Sequence, residues 1–187
     1  VIVSCGTCMD QLQKYEFEKI FPGCRLLDIH EYLLEKGVKL DGVQGVRYLY
    51  HDPCHTPMKT IPGIKVANAL MGQRVDLSDR CCGEAGTLAV GRPDVATQVR
   101  FRKQEEIENG VARLRAADEG DGAPFAGEVK VLTSCPSCLQ GLLRFNDDAG
   151  TQADYIVVEM ARHLLGGNWL ADYVEKANAG GIERVLL

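Results

Sequence analysis

What this chain lacks narrows it first. No apolar run approaches the ~20 residues that span a bilayer, and no basic segment leads into a short apolar core, so neither a membrane helix nor a signal peptide is visible. Lys and Arg number 21 against 26 Asp and Glu, and the formal charge of −5 argues against a general nucleic-acid binder. There is no Ser-His-Asp arrangement, no phosphate loop and no dinucleotide glycine fingerprint, so no substrate site of its own is visible. An initiator Met is missing as well. The chain opens on Val1-Ile2-Val3-Ser4, which reads like a buried parallel strand and predicts a fragment of a longer polypeptide.

What is present is ordinary in bulk and unusual in cysteine. At 187 residues the chain can bury a proper core as one domain, and 45% apolar with 25% charged residues fits a soluble globular protein. The eight cysteines therefore carry the distinguishing signal. With no secretory signal and with Cys-x-x-Cys spacings, reduced metal-binding thiols in the cytoplasm are favoured over disulfides.

Five of them stand out: Cys54 in His51-Asp52-Pro53-Cys54-His55, the vicinal pair in Cys81-Cys82-Gly83, and Cys135-Pro136-Ser137-Cys138. Adjacent cysteines rarely bond each other, because the small ring strains disulfide geometry. They can instead reach two metal ions or two irons of one cluster, so the set suggests a polynuclear site, iron–sulfur above all. Gly83 lets backbone approach such a cluster. Cys5 and Cys8 form a second, incomplete set, whose bland alternative is a disulfide or two free thiols. Cys24 matches nothing and reads as a small buried hydrophobe. His51 and His55 flank Cys54 and read as supporting residues of the turn, His30 and His163 as structural, and Glu84 as a turn cap.

Asp-Pro-Cys-His, Cys-Cys-Gly-Glu-Ala-Gly and Ser-Cys-Pro-x-Cys together resemble the CCG cysteine-rich domain family over residues 46–143. That domain occurs in heterodisulfide reductase and in the iron–sulfur subunits of glycolate, lactate and glycerol-3-phosphate dehydrogenases. The closing Ala179–Leu187 stretch also resembles the end of large FAD-linked oxidases. The resemblance implies that Cys54, Cys81, Cys82, Cys135 and Cys138 hold an unusual [4Fe-4S] cluster, with zinc in some relatives. It further implies a flavoprotein partner carrying FAD and oxidising a 2-hydroxy acid, a quinone or other acceptor, and a membrane-peripheral placement through partners. Heterodisulfide-reductase-like thiol–disulfide catalysis and a structural zinc module are the alternatives. Twenty-six residues separate Cys54 from Cys81 and 52 separate Cys82 from Cys135, against a somewhat longer first gap and a shorter second one in the family.

The layout repeats. Ser4-Cys5-x-x-Cys8-x-x-x-Leu12 aligns with Ser134-Cys135-x-x-Cys138-x-x-x-Leu142 at an offset of 130, and Asp28-Ile29 parallels Glu159-Met160 at 131. Residues 1–45 thus read as the tail of a first repeat, 46–165 as a complete second repeat, and 166–187 as a C-terminal tail docked through Trp169 and Tyr173. Strands are expected at Val46–Tyr50, Val75–Leu77 and Val129–Ser134. Helices are expected from Leu12 to Ile20, over Asp28–Lys36, over Pro62–Met71, from Pro93 and after Cys138. The long helix is given a buried stripe of Val95, Val99, Ile107, Val111 and Leu114, with Arg100, Arg102, Lys103, Glu105 and Glu108 in solvent. Ala116–Gly127 reads as a mobile loop. The order of elements implies a parallel-sheet βαβ, Rossmann-like α/β fold with pseudo-two-fold repetition.

Overall fold

The computed structural model of the chain describes residues 1–84, 86–116 and 124–180. Its centre is a four-stranded parallel sheet in the order β4-β3-β5-β6, built from β3 (Val46–His51), β4 (Val75–Leu77), β5 (Glu128–Thr133) and β6 (Gln152–Tyr155). Side-chain alternation assigns the faces. Tyr48 and Tyr50 of β3 and Leu132 of β5 point into one core with Val66, Leu70, Met71, Ile156 and Met160. Leu49, Val129 and Val131 point into the other with Ile107, Val111, Leu142 and Phe145. Both faces are covered by helices, which is why the strands read as apolar runs. Burying each such side chain contributes about 1.5–3 kcal/mol.

The first face is covered by α3 (Ile29–Glu35), α4 (Gly63–Met71) and α9 (Ile156–Leu165), the second by α6 (Pro93–Ala116), α7 (Pro136–Leu143) and α8 (Asn146–Ala149). The expected strands and all but one of the expected helices are present, with Asp28 capping α3 by accepting from the His30 and Glu31 amides. Charged groups cross the first face only as a paired set. Glu159 is fully buried and accepts from Tyr48 Oη at 2.8 Å and Lys130 Nζ at 3.0 Å, with Arg162 and His163 alongside.

Three expectations change. The segment from Leu12 to Ile20 is not one helix. It is α1 (Gly6–Leu12), a 3₁₀ turn over Gln13–Tyr15 and α2 (Phe17–Ile20), broken at Glu16, whose φ is 47°. The buried stripe of α6 runs through Ala96, Lys103, Ile107, Gly110 and Val111, while Val95 is 38% exposed and Lys103 not at all. Cys24 is half-buried beside the chain's amino group rather than in a core. Of the expected mobile loop, residues 117–123 lie outside the described residues, as do 181–187 of the closing stretch. Phe125, within that expected loop, is buried against Arg47.

The duplicated tails keep their geometry. A two-stranded parallel sheet pairs β1 (Ile2–Val3) with β2 (Leu27–Asp28), Val3 opposite Asp28, just as β5 pairs with β6, Thr133 opposite Tyr155. Cys5 and Cys135 cap α1 and α7 with φ −132° each and ψ 123° and 127°. Asp28 and Tyr155 precede α3 and α9 with φ −78° and −75° and ψ 143° each. Structurally, therefore, Asp28 corresponds to Tyr155, an offset of 127 (155 − 28) instead of the 131 read from Glu159. The segment between helix and strand is three residues shorter in the second copy. Beyond Gly166, α10 (Trp169–Gly180) leans on α9, with Trp169 half-buried and Tyr173 39% exposed.

Candidate metal centre

Three neighbouring strand ends supply the thiols. Because β3 lies between β4 and β5 and all three are parallel, their C-terminal ends share one edge of the sheet, the place where such sheets bind ligands. β3 ends at His51 and turns through Asp52-Pro53 into Cys54. β4 leads through Ser78-Asp79-Arg80 to Cys81 and Cys82, with Arg80 at φ 68°. β5 runs through Ser134 into Cys135, the N-cap of α7, which carries Cys138 on its first turn.

The side chains meet there. Cys82 Sγ and Cys138 Sγ, both buried, lie 3.2 Å apart. His51 is 1% exposed, neither of its ring nitrogens is hydrogen-bonded, and one of them lies with both sulfurs in a group spanning no more than 4.8 Å. Cys135 shares the Cys138 thiol, and Cys54, exposed, shares the half-buried thiol of Cys81. Gly83, at φ +80°, turns its amide back to donate to Cys81 Sγ at 3.4 Å. Glu84 does not cap this turn. It pairs with Arg144 at the end of α7.

The electrostatics sort these thiols. The Cys138 thiol, hydrogen-bonded to Cys135 and Cys82 and buried, is held well above its ordinary pKa. That hydrogen bond draws Cys82 down to about 4 against the opposing effect of burial, helped by the His51 ring and the Glu84 amide. The same thiol, with the amides of Cys138 and Ser137 at the helix start, brings Cys135 down to about 6. Burial raises Cys81, and the neighbouring Cys82 and Cys54 add to that. Two thiolates beside two protonated thiols and a free imidazole are what a soft cation displaces protons from. The donor set fits an iron–sulfur cluster, and with His51 it also fits four-coordinate zinc.

Cys5 and Cys8 stay outside this group. Cys5 Sγ caps α1 by accepting from the Cys8 amide at 3.5 Å, and it raises the exposed Cys8 by hydrogen bond and charge. Tyr155 feels both sets: burial raises its hydroxyl, and charges at Cys135, Cys5 and Cys138 add to the effect. His55 does not face the centre but binds Asp10 at 2.7 Å. His30 is buried on Asp28 at 3.0 Å, and His163 on Glu159. Sequence reading gave His51 a supporting role beside Cys54, and the structure puts one of its ring nitrogens with the Cys82 and Cys138 sulfurs. The signal was available in its place at the last residue of a central strand. Tyr155, which sequence reading missed, holds the strand-end position equivalent to Asp28.

Fold and site together define a cysteine-rich α/β domain with a convergent thiol centre. The chain is similar to iron–sulfur proteins and to heterodisulfide reductase subunits. It is 28% identical to an uncharacterized iron–sulfur protein of Methanococcus maripaludis, over 74% of this chain and 25% of that one. It is 29% identical to one of the subunits of fumarate reductase (CoM/CoB) of Methanothermobacter marburgensis, over 57% of this chain and 23% of that protein. Identity is also 29% to one of the subunits of dihydromethanophenazine:CoB–CoM heterodisulfide reductase of Methanosarcina mazei, over 63% of this chain and 27% of that protein. The chain thus spans about a quarter of these relatives' length. Residues 143–187 match a family described as a domain of unknown function (DUF3400). No solved structure matches. No helix among the described residues is long and apolar enough to cross a membrane.

Proposed function

We propose that this chain is an iron–sulfur electron-transfer module of a flavin-linked oxidoreductase, with Cys54, Cys81, Cys82, Cys135 and Cys138 holding one [4Fe-4S]-type cluster. The observation that carries the reading is the 3.2 Å approach of Cys82 and Cys138, from segments 56 residues apart, with Cys81 interacting with Cys82 and Cys54, and Cys135 with Cys138. When bound, such a cluster supplies one-electron chemistry between a donor and an acceptor. The chain's own part is to place and screen it. The start of α7 turns amide groups toward Cys135, Gly83 turns its amide toward Cys81, and the buried His51 ring closes the inner side. Residues 46–165 form the working repeat, 1–45 the tail of another, and 166–187 an appended tail. A flavoprotein oxidising a small 2-hydroxy acid is the proposed donor and a quinone the proposed acceptor, in the cytoplasm.

The second reading is thiol–disulfide chemistry of the heterodisulfide reductase kind. A cleft of about 430 Å³ lined by Arg80, Cys81, Val99 and Arg102 favours it, since it brings solvent-accessible space to one sulfur of the vicinal pair.

Anaerobic purification followed by iron and acid-labile sulfide determination tests the proposal. Iron with sulfide in the wild type, lost in Cys82→Ser, supports it. Zinc at one per chain with no sulfide overturns it in favour of a structural zinc site of Cys82, Cys138, Cys135 and His51. Turnover of a disulfide substrate by iron-loaded protein would move the assignment to the second reading.

A further inference from the structure

Lys103 occupies a position on α6 where the helix's own pattern calls for an apolar side chain. It is 0% exposed, between the buried Ala96 and Ile107 of the same stripe. Its ammonium donates to Ser78 O at 2.9 Å, Ser78 Oγ at 2.9 Å and Asp79 O at 2.6 Å. Three acceptors take all three protons that only the charged form possesses, since a neutral amine has two. All three are uncharged oxygens, and no ion pair to Lys103 occurs among the described residues. A buried cation without a carboxylate partner is strongly unfavourable unless negative charge lies near.

Negative charge within reach comes first from Glu106 on the same helix and then from the thiol centre. Ser78 and Asp79 are the turn that delivers Cys81 and Cys82, and Lys103 lies in the field of the Cys82 and Cys138 sulfurs, as well as of Glu106 and Asp79. One turn earlier on the same helix, Arg100 lies against Gly83 and keeps a buried Nε with no hydrogen-bond partner. We infer that Lys103 is a positioning and charge-balancing residue of the cysteine centre: it clamps the Ser78–Asp79 turn and sets a fixed positive charge beneath the anionic cluster, raising its reduction potential. Burial draws its pKa down, the nearby negative charges of Glu106, Cys82, Asp79 and Cys138 oppose that, and the result is about 8, so at neutral pH the charge is present. The inference rests on the iron–sulfur reading above. A positive charge favours whichever state of the centre is more negative, and addition of one electron makes that the reduced state.

The test uses the full chain, reconstituted anaerobically with ferrous iron and sulfide, as wild type, Lys103→Met and Lys103→Gln. Iron and sulfide contents are measured first, then redox titration followed spectroscopically. Both variants are expected to take up the metal, with the reduced-to-oxidised ratio at a fixed solution potential lowered about tenfold, or about 59 mV for a one-electron couple. The metal-free variants are expected to melt within about 10 °C of the metal-free wild type, since removal of a buried charge offsets the loss of its hydrogen bonds to Ser78 and Asp79. Wild-type potentials in fully loaded variants would overturn the inference and leave the iron–sulfur reading intact. So would a loss of more than about 10 °C in melting temperature by both metal-free variants, because Lys103 would then be serving the fold alone. A wild type that takes up no iron and sulfide overturns the reading and the inference together.

Discussion

A β-carbon placed on Gly6 would stand 1.5 Å from the carbonyl oxygen of His55. The turn that opens α1 is thus wedged against the loop that carries Cys54, and Asp10 on the same helix accepts from His55 at 2.7 Å and Lys59 at 2.6 Å. The incomplete Cys5–Cys8 motif buttresses the complete one whether or not it binds anything.

Gly6→Ala cannot be relieved by a side-chain rotation, because the obstacle is backbone. Denaturant unfolding should show a loss of about 1–3 kcal/mol, the usual size for overpacking, together with a lower metal content from displacement of Cys54. Asp10→Ala, which removes only partly exposed ion pairs, should cost below about 1 kcal/mol. Equal and negligible effects of the two would mean that the tail does not support the loop.

Cys135 should be the reactive thiol of the metal-free protein. It is half-buried with its pKa near 6, whereas the exposed Cys8 is raised and the low-pKa Cys82 is covered. The thiolate is the nucleophile and exists above the pKa. Iodoacetamide labelling read by peptide mass spectrometry should therefore reach Cys135 first at pH 7, its rate rising through a midpoint near pH 6. Preferential labelling of Cys8 at that pH would refute the ordering.

Metal stoichiometry should divide the cysteines. Cys54→Ser, Cys81→Ser and Cys138→Ser should each lower iron and sulfide content severalfold. Cys24→Ser should leave it unchanged, since the Cys24 thiol lies by the Val1 amino group and the Arg25 carbonyl, away from the cysteines of the centre. Loss of metal in the Cys24 variant would point to a different ligand set.

Glu159 ties acid stability to a single buried carboxyl. Burial works to raise its pKa, but hydrogen bonds from Lys130 and Tyr48 and the charge of Lys130 prevail, and the folded value lies below the ordinary one. A depressed pKa contributes stability above the unfolded value, about 4.3, and that contribution is lost as pH falls through the folded value. Glu159→Gln leaves Lys130 buried without its main partner and should cost about 3–5 kcal/mol at pH 7. The lower end is expected, because Glu128 lies 3.6 Å from Lys130. Stability measured from pH 6 to pH 3 should then fall less steeply than in the wild type. An unchanged acid slope would place the titrating group elsewhere.

Much was legible in sequence because it depends on neighbours along the chain. Runs of β-formers marked β3 and β5, Asp28 announced the start of α3, and the repeated Cys-x-x-Cys spacing marked two helix starts that proved to share backbone angles. The parallel α/β class followed from element order. What local pattern could not decide was which groups meet. The short strands β2 and β6 draw their definition from partners opposite them, and their own residues carry little signal. Lys103 reads as solvent-facing by residue type, and this put the buried stripe of α6 out of phase. The oxygens of a turn 25 residues away, together with negative charge brought near by the fold, make that burial tolerable. Likewise, residue type marked Cys82, Cys138 and His51 as able to hold a metal, but the pairing of strand ends put them together, since contact across a parallel sheet is set by register between distant segments.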